Sequence, residues 1–305
     1  MLKAIICMLL ITAAALAAGL SVRRLMRGKK RAARNAALVL IALAGFIGIN
    51  FVGGYMLAPA CFLKDFPDAE AHREVEELAL ATPISFDAKS GKLSGWLMES
   101  GNKSAPLVIY FGGNKECSAL RMKRLAEGSV KETFGGFDFA CVDYPGYCES
   151  EGTAGAKSFK RYGLEVYDFL TKERAYERVY IMGYSIGTGV ANYVASQREC
   201  DGLVLLAPYS DGSDLYNTVC NIFHGPLRLL VGFNMDSAEY ARDIKPKPLI
   251  LAAGEDEVIP WECAKRLSAN YPDGAEFTLI DGIGHSDLWT DERALELIKK
   301  YLREE

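Results

Sequence analysis

A chain of 305 residues, half of them hydrophobic, has material for one large core and for something beyond it. Its formal net charge of −4 hides an asymmetry, because residues 1–58 hold eight basic side chains and no acidic ones, which leaves the remainder at about −12. A body that acidic is a poor partner for nucleic acid phosphates and anionic lipid head groups, so no nucleic acid is expected to bind.

The apolar surplus sits at the front. Residues 4–22 and 36–58 are two runs each long enough to cross a bilayer as a helix. Asn50 and the glycines at 45, 48, 53 and 54 suit membrane helices, where small residues let neighbours approach closely. Between the runs, 23–34 carries Arg23, Arg24, Arg27, Lys29, Lys30, Arg31 and Arg34 without an acid. A short loop this basic is expected to stay cytoplasmic. The N-terminus and everything after residue 58 then face outward, giving a two-helix anchor in the cell membrane and an extracytoplasmic domain. A cleaved signal peptide fits less well, since only Lys3 precedes the first apolar run.

Residues 59–81 read as a polar connector with an acidic helical patch, and 82–305 as the main domain. Ile84 to Asp87 and Leu93 to Met98, joined at Ser90-Gly91-Lys92, form a hairpin pattern. Short apolar runs follow at 107–111, 138–142, 179–182, 203–207, 249–252 and 277–280. Segments of helical period lie at 115–127, 157–172, 185–199, 261–271 and 291–303. This alternation predicts a mostly parallel sheet with helices on both faces, and fully apolar strands agree with a sheet covered on both sides. The one long break, 209–247, has room for a short cap. Within it Phe223 to Phe233 is expected as a helix packed on the body, with an apolar lid reaching an acyl chain or the bilayer as the other reading.

The chemistry centres on Gly183-Tyr184-Ser185-Ile186-Gly187, a Gly-x-Ser-x-Gly set between an apolar run and a helical pattern. A strand-to-helix turn this tight strains the serine backbone and leaves little room beside it, which explains glycine at 183 and 187. The glycines do not match the G-x-G-x-x-G of a dinucleotide site, because the third would fall at Asn192. In open α/β sheets the chemistry gathers at the carboxyl ends of the strands. Asp256 and His285 each follow an apolar run, so the order is Ser, Asp, His. A serine hydroxyl needs a base, and histidine oriented by a carboxylate supplies one. Of three histidines, His72 lies in the connector and His224 in the cap, leaving His285. Asp211 and Asp214 compete with Asp256 for the acid, while Glu255 and Glu257 read as solvated. Backbone donors for the oxyanion are expected from Ile186 and from the loop Gly112-Gly113-Asn114, with the Asn114 amide first and Gly113 next.

Eight cysteines show no C-x-x-C spacing, and no H-x-x-x-H occurs, so no metal site is expected, and hydrolysis through a serine, a histidine and an acid requires no cofactor. Cys117 and Cys148 are the first candidates for a disulfide because their loops should be neighbours. Free thiols would instead suit an anaerobic host.

Taken together, Tyr110 to Asn114, Asp143 to Gly152, Gly183 to Gly187, Asp256 with Val258-Ile259-Pro260, and Gly284 to Trp289 resemble the α/β-hydrolase superfamily. The likeness is to its membrane-anchored serine hydrolases similar to lysophospholipase-like and serine-aminopeptidase-like proteins. It implies an α/β-hydrolase fold behind a two-helix transmembrane hairpin, and a Ser185–His285–Asp256 triad cleaving an ester, thioester or amide. The implied partner is a small or lipid-like acyl substrate. Three departures stand out. Gly112 takes the place of a common histidine, Cys148 that of a common glycine, and the step from Gly254 to Asp256 is one residue short. The alternative is a tethered binding or scaffold protein that keeps the fold without turnover.

Overall fold

The computed structural model describes residues 2–52, 69–218, 221 and 223–304, in two compact units. One unit holds residues 1–61 with 220–233, and the other holds the rest.

In the first unit, helices α1 (Leu2–Leu25) and α2 (Arg31–Val52) lie side by side. Their stretches Ile6–Leu25 and Arg31–Ile49 are long and apolar enough to cross a membrane. A Cβ on Gly45 would stand 3.0 Å from that of Ala15, and one on Gly48 would meet Ile11 at 3.4 Å. Small residues thus set the helix spacing. Leu9, Leu16, Leu20, Leu40 and Leu43 point outward and are exposed. The turn between the helices is tighter than the expected loop 23–34. Arg23 and Arg24 finish α1, Arg31 and Arg34 begin α2, and Gly28 turns the chain at φ +93°. The expected end of the second run, 53–58, and the connector to residue 68 lie outside the described residues.

The cap segment departs from expectation. Residues 220–233 group with the two apolar helices, and the 3-10 helix Gly225–Leu230 lies against α2. Its composition explains this, since Phe223 to Phe233 carries a single charge, Arg228, and Leu229 is 88% exposed.

The second unit opens with α3 (Ala69–Glu77), whose apolar side buries Ala71 and Val75. The hairpin follows as β1 (Thr82–Ala88) and β2 (Gly91–Met98), paired antiparallel. The apolar runs become β3 (Leu107–Phe111), β4 (Asp138–Val142), β5 (Val179–Tyr184), β6 (Gly202–Leu206), β7 (Leu249–Ala253) and β8 (Glu276–Ile280). The strand order is β1-β2-β4-β3-β5-β6-β7-β8; β2 runs antiparallel to β4, and all later pairings are parallel. Every residue of β3, β4, β6 and β7 is buried, as a sheet covered on both faces requires.

Helices between the strands are α4 (Ser118–Leu125), α5 (Gly128–Phe134), α6 (Ala156–Glu173), α7 (Gly187–Gln197), α8 (Gly212–Asn217), α9 (Ser237–Tyr240), α10 (Trp261–Ser268) and α11 (Glu292–Arg303). The helix expected over 115–127 is shorter, Ser118–Leu125, and a second helix that the periodicity did not predict, Gly128–Phe134, follows it. Gly128 at φ +51° breaks the chain direction, and α5 starts afresh behind it. Strand alternation assigns the faces. Val108, Tyr110, Phe139, Met182 and Leu206 share one core cluster with Met122, Phe134 and Ile298 from α4, α5 and α11. The alternate residues turn to the face where α6 packs on α7.

Candidate active site

β5 runs straight into the turn that carries Ser185. The serine sits at φ +54° and is 7% exposed, a left-handed conformation that costs a residue with a Cβ roughly 1–2 kcal/mol. Packing enforces it. Ser185 N–H donates to Leu206 O at 2.9 Å, and Ser185 O accepts from Thr188 N–H at 3.0 Å. A Cβ on Gly183 would lie 2.7 Å from Thr188 Cα, and one on Gly187 would strike the carbonyl oxygens of Phe111 and Gly112. Ile186, the N-cap of α7, presents one of the first-turn N–H groups that have no acceptor within the helix.

His285 opens a 3-10 turn (His285–Trp289) after β8, where Gly284 N–H donates to Asp287 Oδ2 at 2.8 Å. Its Nδ1 lies 2.6 Å from Asp256 Oδ2, with the side chains 11% and 1% exposed. The other oxygen, Asp256 Oδ1, accepts from the N–H groups of Val258 at 2.8 Å and Ile259 at 2.7 Å. Two backbone donors therefore aim this carboxylate at the imidazole. Tyr184 joins the serine turn to the histidine turn, donating from its hydroxyl to His285 O at 3.3 Å with the rings 5.1 Å apart. Burial pushes that phenol up to about 12.

The competing acids are committed elsewhere. Asp211 caps α8 through Ser213 N–H at 2.7 Å. Asp214 accepts from Ser210 N–H at 2.8 Å and pairs with Arg266 at 2.6 Å. Glu255 and Glu257 are exposed. His224 bonds Asn221 at 2.6 Å in the first unit.

The loop after β3 holds a residue that sequence reasoning passed over. Glu116 Oε2 accepts from Gly113 N–H at 2.8 Å and from Tyr110 OH at 2.9 Å, and Glu116 also pairs with buried Arg121. The Gly113 amide is therefore engaged, which leaves Asn114 and Ile186 as the backbone candidates. Asn114 is exposed, and its Oδ1 accepts from Tyr147 OH at 2.8 Å. An acid three residues beyond paired glycines was the available sign.

This strand order, with a strained serine turn and a His–Asp pair at the carboxyl ends of the strands, defines an α/β-hydrolase. A family model described as alpha/beta hydrolase fold matches residues 106–221. Similar chains include an uncharacterized protein of Mycobacterium tuberculosis H37Rv, 25% identical over 218 residues, 70% of this chain and 75% of that one. The lysophosphatidylserine lipase ABHD12 of Bos taurus is 26% identical over 194 residues, covering 58% of this chain and 48% of the relative, so the match spans about half its length. Among solved structures, the Pyrococcus furiosus esterase Pf2001 superposes with a TM-score of 0.61 at 17% identity, over 75% of this chain and 93% of that one. Est1E from Butyrivibrio proteoclasticus gives 0.57 at 17%, over 72% and 97%. The chain is a hydrolase with the α/β-hydrolase fold, and two apolar helices precede that fold in the sequence.

Proposed function

We propose that this protein is a membrane-anchored serine hydrolase that cleaves an acyl ester, thioester or amide through Ser185, His285 and Asp256. The observation that carries the reading is the 2.6 Å contact between His285 Nδ1 and a buried Asp256 that two backbone amides hold in place. With Nδ1–H donated to Asp256, Nε2 is the lone-pair nitrogen, the tautomer that a general base needs. Ser185 Oγ attacks the carbonyl carbon as Nε2 takes its proton. The N–H groups of Ile186 and Asn114 receive the oxyanion. The carbon–leaving-group bond then breaks, the leaving group takes the proton from Nε2, and an acyl-serine forms. Water, deprotonated by the same nitrogen, releases the acid and restores Ser185.

Two further parts belong to this proposal. The apolar helices tether the domain, and the basic turn between them stays cytoplasmic, so that the domain faces outward. The substrate is a small or lipid-like acyl compound, a class supported by the name of the ABHD12 relative.

Fluorophosphonate labelling of the full-length protein tests the chemistry. Labelling that disappears in Ser185→Ala supports it, and an unlabelled wild-type protein that hydrolyses neither p-nitrophenyl esters nor lysophospholipids refutes it. A C-terminal alkaline phosphatase fusion tests the side of the membrane, because that reporter gains activity only outside the cytoplasm.

A further inference from the structure

Outside the serine site, three side chains from three separate segments meet in the hydrolase unit. His72 comes from α3, Cys117 is the N-cap of α4, and Asp143 follows β4. One ligand atom from each lies within 4.8 Å of the other two, and His72 Nε2 stands 3.5 Å from Cys117 Sγ. Cys117 is fully buried and Asp143 is 2% exposed.

The carboxylate is the telling member. Asp143 Oδ1 accepts from Ser118 N–H at 2.8 Å, while Oδ2 is buried with no hydrogen-bond partner among the described residues. Buried carboxylate oxygens are normally satisfied by donors or by a cation. A fourth group is at hand, for the Cys148 thiol hydrogen-bonds Cys117. Cys148 holds a left-handed φ of +43°, a conformation in which glycine would be unstrained.

We propose that His72 Nε2, Cys117 Sγ and Asp143 Oδ2, completed by Cys148 Sγ, bind a zinc-class divalent cation in tetrahedral geometry. Thiolate, imidazole and carboxylate together select a borderline-soft ion, whereas magnesium and calcium take oxygen ligands. With metal–ligand bonds of roughly 2.0–2.3 Å, tetrahedral edges are roughly 3.3–3.8 Å long. The His72–Cys117 separation of 3.5 Å already fits one edge, and the widest pair among His72, Cys117 and Asp143 closes by about 1 Å through side-chain rotation, while Cys148, outside that group of three, has farther to swing. A substrate-facing nucleophile is excluded for Cys117, because no solvent reaches it.

The site is structural and independent of the triad. It pins α3, the first described element after the apolar helices, to the loops that follow β3 and β4. Without a metal, α3 depends on Ala71, Val75, the ring contact of His72 with Trp96 at 5.7 Å and the Glu74–Lys123 ion pair. Cys117 lies three residues after Asn114, and Tyr147, which bonds the Asn114 side chain, precedes Cys148. Closing the cluster therefore also steadies the loop that carries the oxyanion donor.

The test uses the full-length protein in detergent, reduced, stripped with a chelator and titrated with Co²⁺ alone. Thiolate-to-cobalt charge-transfer bands and strong tetrahedral d–d bands should saturate at one ion per chain and vanish when Zn²⁺ is added. His72→Gln should weaken Co²⁺ binding by more than about 100-fold, since loss even of an outer-sphere partner costs 10–100-fold. Cys117→Ser should lose at least half the charge-transfer intensity, and Ser185→Ala should bind as wild type does. Far-UV circular dichroism confirms that each variant is folded, and His72→Gln, altered at a half-buried helix position, serves if Cys117→Ser is not. The proposal is overturned by absent cobalt bands, by bands that survive in both ligand variants, or by a Cys117–Cys148 disulfide in protein prepared without oxygen.

Discussion

Replacing Asp256 by asparagine separates the role of its charge from its role in packing. Asparagine has nearly the same volume, and its Oδ1 can still accept from Val258 and Ile259 N–H. Those two bonds lose their ionic character. Bonds to a charged group are worth about 1.5–3 kcal/mol and neutral ones about 0.5–1.5, so the fold gives up about 2 kcal/mol in all. In a unit of this size that corresponds to a fall in melting temperature of roughly 4–8 °C. The catalytic loss is far larger. The new side-chain NH₂ faces His285 Nδ1 at a 2.6 Å contact, which forces the proton onto Nε2 and removes the base. A wrong-tautomer triad loses about 10⁴-fold in kcat, or about 5 kcal/mol of barrier. Asp214→Asn is the control. Its one remaining oxygen can serve Ser210 N–H or Arg266 but not both, so it loses the ion pair, lowers stability, and leaves kcat/KM close to wild type. Turnover of p-nitrophenyl esters and differential scanning fluorimetry measure both effects. Asp256→Asn within about tenfold of wild type, at any stability, would refute the role given to this carboxylate.

Three further outcomes follow from the same geometry. Ser185→Gly should abolish turnover yet raise the melting temperature above that of Ser185→Ala, because only glycine relaxes φ +54°, by about 1 kcal/mol. Gly187→Ala should reduce soluble yield and cost several kcal/mol in urea denaturation, about 3 or more, since its Cβ meets the backbone carbonyls of Phe111 and Gly112 rather than a movable side chain. Glu116→Ala should cost about 3–5 kcal/mol by leaving buried Arg121 without a counter-charge, and folded protein should show a lower kcat as the Gly113 loop loses its anchor.

The sheet was largely legible in the sequence, because strands buried on both faces appear as unbroken apolar runs. β3 and β4 begin and end where their runs do. Ser185, His285 and Asp256 could be singled out for a related reason, since each follows a run directly and strand ends are where open sheets collect chemistry. The helix Gly128–Phe134 was missed, because seven residues are too short a stretch for a helical period to stand out. What Phe223 to Phe233 packs against was not legible, because periodicity reports that an apolar face is buried and not what buries it. The His72–Cys117–Asp143 cluster lay beyond any spacing rule. Its members are 45 and 26 residues apart along the chain and meet only once α3 docks and the β4 loop turns back.

A charged pair in the core of this hydrolase also has a reason in the site it supports. Arg121 is 2% exposed, and its guanidinium lies 3.6 Å from the centroid of the Trp289 ring. Trp289 ends the 3-10 turn that His285 begins. Glu116, paired with that arginine, grips Gly113 N–H in the loop leading to Asn114. One buried chain of contacts therefore runs from the loop after β3 through Glu116 and Arg121 to the turn that begins at His285. A hydrophobic replacement of the pair would spare the desolvation of two charges and could equal it in stability. It would not hold a backbone N–H on one side and an aromatic ring on the other. The ion pair is thus best understood as a spacer that sets the loop after β3 against the turn after β8, the two places that the proposed mechanism needs to converge on Ser185.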